Sequence, residues 1–134
     1  MGIILDSSIL IGAERGRFDF ERFLNKYSTE PMALAAITVA ELLHGWERAK
    51  PSVKEGRGHF VTGLIEKFPI AEFGLSEARH YAHIWAHLAG KNIDIGAHDT
   101  LIAASALSLD YAVATLNEKD FRQVPGLRLV KVLA

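Results

Sequence analysis

Asp6, Glu41, Asp99 and Asp120 each sit beside an apolar run, where a carboxylate is awkward to fold. Asp6 follows Ile3-Ile4-Leu5, and Glu41 is embedded in Ala36-Ile37-Thr38-Val39-Ala40-Glu41-Leu42-Leu43. Asp99 stands before Leu101-Ile102-Ala103-Ala104, and Asp120 lies just beyond Ala112-Val113-Ala114-Thr115-Leu116. A lone buried carboxylate costs several kcal/mol unless a cation or donor compensates it. Acids at the ends of several apolar segments therefore point to one shared site. Two carboxylates ~5 Å apart repel by roughly 3 kcal/mol at an effective dielectric of ~20. An oxygen-seeking cation, magnesium (Mg2+) or manganese (Mn2+), removes that penalty. It would also orient and acidify water and screen a phosphodiester, so the expected reaction is in-line phosphodiester hydrolysis without a covalent enzyme intermediate.

Each acid has a structural alternative. Glu41 could complete a capping box opened by Thr38, and Asp99 could stabilise its helix dipole. Asp120 could be a solvated loop acid. Asp6 is hardest to explain away, because an acid directly after a buried strand costs stability without a partner. The case rests on the set.

The elements that must position these acids alternate along the chain. Strands are expected at Ile3–Leu5, Met32–Ile37, Pro69–Phe73, Tyr111–Thr115 and Leu127–Val132. Helical spacing covers Ile9–Glu14 and the Phe20/Phe23/Leu24/Tyr27 segment. Thr38 and Ser52 each read as the cap of a capping box, Ser76 as a third cap, and Asp99 as the start of a further helix. In the Ser76 helix, Ala78, Tyr81, Ala82, Trp85, Leu88 and Ala89 read as the apolar stripe, leaving His80, His83 and His87 on a polar outer face. This order predicts one α/β domain over residues 1–134 with a mainly parallel central sheet flanked by helices. Open parallel sheets place their sites beyond the carboxyl ends of the strands, where Asp6 should lie.

Composition narrows the chemistry. The absence of cysteine excludes disulfides, thiolate metal sites and thiol nucleophiles. A net charge of −1 argues against a general nucleic-acid coat, though not against a nucleic-acid enzyme that concentrates its basic residues. Arg48, Lys50, Lys54 and Arg57 do cluster, and read as a solvated helical face. Apolar stretches fall well short of the roughly 18 residues a membrane span needs, and no basic leader precedes Met1-Gly2-Ile3, so a cytoplasmic location without membrane attachment is expected. Glycine spacing gives no phosphate loop, and no nucleophile elbow surrounds Ser7 or Ser8.

Four segments together resemble the PIN-domain ribonucleases. They are Ile3-Ile4-Leu5-Asp6-Ser7-Ser8-Ile9-Leu10-Ile11, Ile37-Thr38-Val39-Ala40-Glu41-Leu42, Asp99-Thr100-Leu101-Ile102-Ala103-Ala104 and Thr115-Leu116-Asn117-Glu118-Lys119-Asp120-Phe121. The group most similar is the VapC-type toxins of toxin–antitoxin pairs. The resemblance implies a single PIN-like α/β domain with magnesium-dependent endoribonuclease activity. It places Asp6, Glu41 and Asp99 at acidic metal positions and Asp120 at a less regular one. Thr115 and Asn117 match polar positions bordering the site, and Ser7 stands where the family often has threonine. It further implies an RNA substrate, an inhibitory antitoxin, for which Phe18, Phe20, Phe23 and Tyr27 are a candidate groove if they are not core, and a homodimer. Two rivals remain at this point: a non-catalytic acidic metal-binding regulatory module, and a metal-dependent phosphatase acting on a small substrate.

Overall fold

Three short apolar segments, buried at every residue but Met32, build the centre of the sheet. The computed structural model describes residues 1–132. Strand β1 (Ile3–Leu5) is flanked by β2 (Met32–Ala35) and β4 (Ala112–Ala114), and β3 (Ile70–Ala71) pairs outside β2. The order is β3-β2-β1-β4 and every pairing is parallel, with Ile4 opposite Ala33 on one side and Val113 on the other. Parallel strands need helical crossovers and are covered on both faces. Here α1 (Ser7–Glu14), α2 (Phe20–Lys26), α3 (Ala36–Glu47) and α4 (Pro51–Lys67) join the strands running outward from β1. Helices α5 (Leu75–Gly90) and α6 (Ala97–Leu109) carry the chain back to β4, and α7 (Glu118–Phe121) follows it.

Alternation along β1 divides the core into two layers. Ile3 and Leu5 pack with Leu10, Phe23, Leu42 and Val61 on the α1–α4 side. Ile4 packs with Ile84, Ile102, Ala103 and Phe121 on the α5–α7 side. Because the chain leaves β1 toward β2 but returns to β4 on the other flank, the order reverses between β1 and β4. A crevice opens at such a reversal, outside the carboxyl ends of the strands.

Several expected boundaries move. The second strand stops at Ala35 and α3 begins at Ala36, so Thr38 lies inside the helix and caps nothing. Alanine-rich sequence favours helix over strand, which explains the earlier start. Similarly α4 starts at Pro51 with Lys50 as its cap, not Ser52; proline suits the first helical position. Gly74 rather than Ser76 caps α5, and the Glu77 carboxylate accepts from the Gly74 N–H at 2.8 Å. The expected strand over Leu127–Val132 shrinks to one parallel bridge, Leu129 with Val113.

The inward face of α5 is also rotated from the expected one. Ile84 and Leu88 are buried, whereas Trp85 is 63% exposed and Ala78, Ala82 and Ala89 face solvent. His80 and His87 are half-buried instead of lying on an outer face, and only His83 is exposed. Among the described residues, no helix is long and apolar enough to cross a membrane.

Candidate active site

The crevice between β1 and β4 is where the acids gather. The Asp6 N–H donates to the Ala114 carbonyl at 2.9 Å, extending the ladder one residue past β1. Its backbone then caps α1, yet its side chain makes no capping bond. Instead Asp6 Oδ2 accepts from the Ser8 and Thr115 hydroxyls, each at 2.8 Å. Those hydroxyls are themselves held: the Leu116 N–H donates to Ser8 Oγ at 2.9 Å and the Asn117 N–H to Thr115 Oγ1 at 3.0 Å. A carboxylate only 4% exposed is thus pinned by two hydroxyls, without a basic partner.

Glu41 comes from the second turn of α3. Its Oε1 is buried and makes no hydrogen bond, and neither does Thr38 Oγ1 one turn before it. Its other oxygen lies 3.5 Å from His98 Nδ1. Burial raises the Glu41 pKa most; His98 pulls it back and Asp6 adds to the rise. Asp99 is set by Gly96, whose φ of +87° opens α6 and places Asp99 in its first turn. Burial pushes the Asp99 carboxyl up to about 6, and repulsion from Asp6, Asp120 and Glu41 adds to it, against a small opposing effect of His98. Asp120 rides on α7, which is anchored by the buried Phe121.

Each of the other three carboxylates therefore acts on Asp99. The four residues converge from four separate segments, although up to 114 positions divide them in the chain. Among the described residues no lysine or arginine pairs with any of them. Nor do three acidic or imidazole side chains stand at the spacing of a closed ligand shell. Like charges hold apart, and a magnesium-type ion keeps several waters and needs only one or two direct carboxylates plus substrate phosphate. An all-oxygen donor set with an orphaned buried carboxylate oxygen fits such an ion.

The PIN domain family matches residues 3–127. The chain belongs to that family. Across 98% of its length this PIN domain is 38% identical to Ribonuclease VapC of Rickettsia bellii, 97% of which it covers. It is 29% identical to the tRNA(fMet)-specific endonuclease VapC of Salmonella typhimurium, with 94% of each chain covered. Among solved structures it is similar to VapBC2 from Rickettsia felis bound to a promoter DNA fragment, with a TM-score of 0.89, 26% identity, and 97% of this chain and 98% of that one covered. The VapC-type resemblance read from the sequence is borne out.

Some residues of this PIN domain's crevice escape sequence reasoning. Ser8, not Ser7, reaches Asp6; Ser7 lines the crevice. With Asp6 as the cap of α1, the residue two positions on is the one turned back toward it, which the structure shows and the sequence pattern does not mark. Thr115 is 2% exposed and its hydroxyl is committed to Asp6, so it supports that carboxylate from beneath. Asn117 is exposed on the crevice wall, together with Arg15 and Arg17, which no motif marked.

Proposed function

We propose that the chain is an endoribonuclease that hydrolyses RNA phosphodiesters with magnesium or manganese, and that it is the cytoplasmic toxin of a type II toxin–antitoxin pair. The observation that carries this reading is a set of four carboxylates without a lysine or arginine partner at the β1/β4 reversal, one of them buried and held by two hydroxyls. Membership of the PIN-domain family and the names of the VapC relatives support it.

Asp6, Glu41 and Asp99 hold the cation, and Asp120 completes or tunes the set. When bound, the cation supplies positive charge to the phosphate and acidifies water at the site. Ser8 and Thr115 fix the Asp6 carboxylate in one orientation, so little reorganisation is needed as the reaction proceeds. Ser7 and Asn117 face the crevice, where they contact substrate phosphate or orient the attacking water. The expected outcome of Asp6→Asn or Asp99→Asn is a loss of magnesium-dependent RNA cleavage of at least ~100-fold with the fold retained. EDTA should abolish wild-type cleavage. A purified Asp99→Asn protein cutting RNA at the wild-type rate would refute the site.

Two partners follow. A cognate antitoxin restrains the enzyme, and the groove lined by Phe18, Phe23 and Tyr27, with Arg22, Lys26 and Lys131 at its edge, is the face assigned to it. Phe18 and Phe23 themselves belong mainly to the core, while Tyr27 is half-buried. A second copy of the chain covers the exposed face of α5. There Phe73, Tyr81 and Trp85 form a continuous edge-to-face series with ring centroids 6.4 and 5.8 Å apart.

A further inference from the structure

Two grooves leave the acid cluster in different directions. The first, of about 350 Å³, starts at Asp6 and Asp99 and runs past Asn117 to Arg15 and Arg17. The second, of about 500 Å³, starts at Glu41 and His98 and runs to Arg48 and Lys50. Asp99 lines the first groove, and its chain neighbour His98, 3.5 Å from Glu41, lines the second, so the two grooves adjoin at the acid cluster.

What marks the cations at their far ends is their place in grooves that also hold the acids, and none of them is neutralised as three other arginines are. Arg57 pairs with Glu14 at 2.6 Å, Arg122 with Glu118 at 2.6 Å and Arg128 with Asp110 at 2.8 Å, and the terminal amine pairs with Glu30. Among the described residues, Arg15, Arg17, Arg48 and Lys50 have no such carboxylate partner, and all four are exposed. They also stand away from the reacting centre. At 1.5 Å per residue, Arg15 lies roughly 13 Å along α1 from Asp6, and Arg48 roughly 10 Å along α3 from Glu41. That spacing suits phosphates flanking the scissile one along the strand. With a net charge of only −1, the molecule attracts RNA locally or not at all.

We infer that a single RNA strand lies through both grooves, its backbone held by Arg15 and Arg17 on one side of the scissile phosphate and by Arg48 and Lys50 on the other. This rests on the ribonuclease reading above and deepens it: a strand held on both sides is cut internally. The basic cluster near residue 50, which reads from sequence as a solvent-facing surface, supplies one side of that track through Arg48 and Lys50. Arg57, already neutralised by Glu14, contributes less.

The test uses the full chain, a fluorescein-labelled 20-nucleotide RNA and the double variants Arg15→Ala/Arg17→Ala and Arg48→Ala/Lys50→Ala. Arg128→Ala serves as control, since its Asp110 partner precedes β4 at the amino end of the sheet. Each double variant should raise KM roughly tenfold. Its kcat should stay within about twofold of wild type, as expected when only ground-state binding is lost. In an Asp99→Asn background with magnesium, each pair should reduce the slope of log affinity against log salt by about 1.4, or ~0.7 per charge for a single strand. Cleavage of a dinucleotide, too short to reach either pair, should be unaffected. Wild-type protein that leaves RNA intact would overturn the ribonuclease reading itself. Active wild type with unchanged KM and salt slope in either double variant would overturn the two-sided track alone.

Discussion

At the scale of single residues, Asp99 is the carboxylate whose environment is most at odds with its charge. Its folded pKa, pushed up to about 6, exceeds the ordinary 3.8. The folded protein therefore binds more protons than the unfolded chain between about pH 4 and 6, and stability falls as pH rises through that window. With EDTA present, Asp99→Asn should melt higher than wild type by on the order of 3–5 °C at pH 7.5. The two should converge toward pH 4. Magnesium should reverse the order by stabilising wild type above pH 6 and leaving the variant nearly unmoved. Differential scanning fluorimetry across pH 4–8 reads all three effects; identical pH profiles for the two proteins would remove Asp99 from the cluster. The acids themselves were legible in the sequence because a charge beside a buried run has few bland explanations. Ser8 was not, since a serine near a helix start is too common to mark, and only the backbone position of Asp6 shows which serine turns back.

At the scale of elements, helix periodicity gave six of the seven helices in order, all but the four-residue α7, and placed their starts and faces less well. Caps were assigned from side-chain type, whereas α3, α4 and α5 begin where tertiary packing starts them, at Ala36, Pro51 and Leu75. In α5 the many alanines fit either face, so only Ile84 and Leu88 reveal the inward one. The glycines of α4 differ in what surrounds them. A Cβ at Gly58 would sit 2.6 Å from the Trp46 ring, so this glycine lets α4 approach α3, the helix that presents Glu41. At Gly56 and Gly63 nothing lies within 4 Å. Gly56→Ala and Gly63→Ala should each stabilise by up to ~1 kcal/mol through helix propensity. Gly58→Ala should instead destabilise by roughly 1–2 kcal/mol, overpacking outweighing propensity. Urea titration of the three variants measures the difference, and equal gains at all three positions would mean that Trp46 yields freely.

At the scale of the whole molecule, strand order explains why the site stands where it does. A β3-β2-β1-β4 sheet has one reversal, and both Asp6 and Thr115 leave the strands that border it. Alternation of strands and helices predicted the parallel sheet, but no local pattern could say which strands would be neighbours. The surface opposite α6 poses a different question, because an exposed Trp85 with Leu75 at 70% and Phe73 at 40% is costly for an isolated domain. If a second copy covers that face, the contact is isologous and Trp85 lies near its centre, where aromatic side chains concentrate binding energy. A charge at that point is carried by both copies and repels across the two-fold axis. Trp85→Glu should therefore convert a dimer to a monomer in light scattering at ~50 μM, where an interface weakened by several kcal/mol has lost its association. Because Trp85 makes little core contact, thermal stability at low protein concentration should change little. A wild type already monomeric at that concentration, or a variant that stays dimeric, would place the self-contact elsewhere and leave the α5 face to another partner.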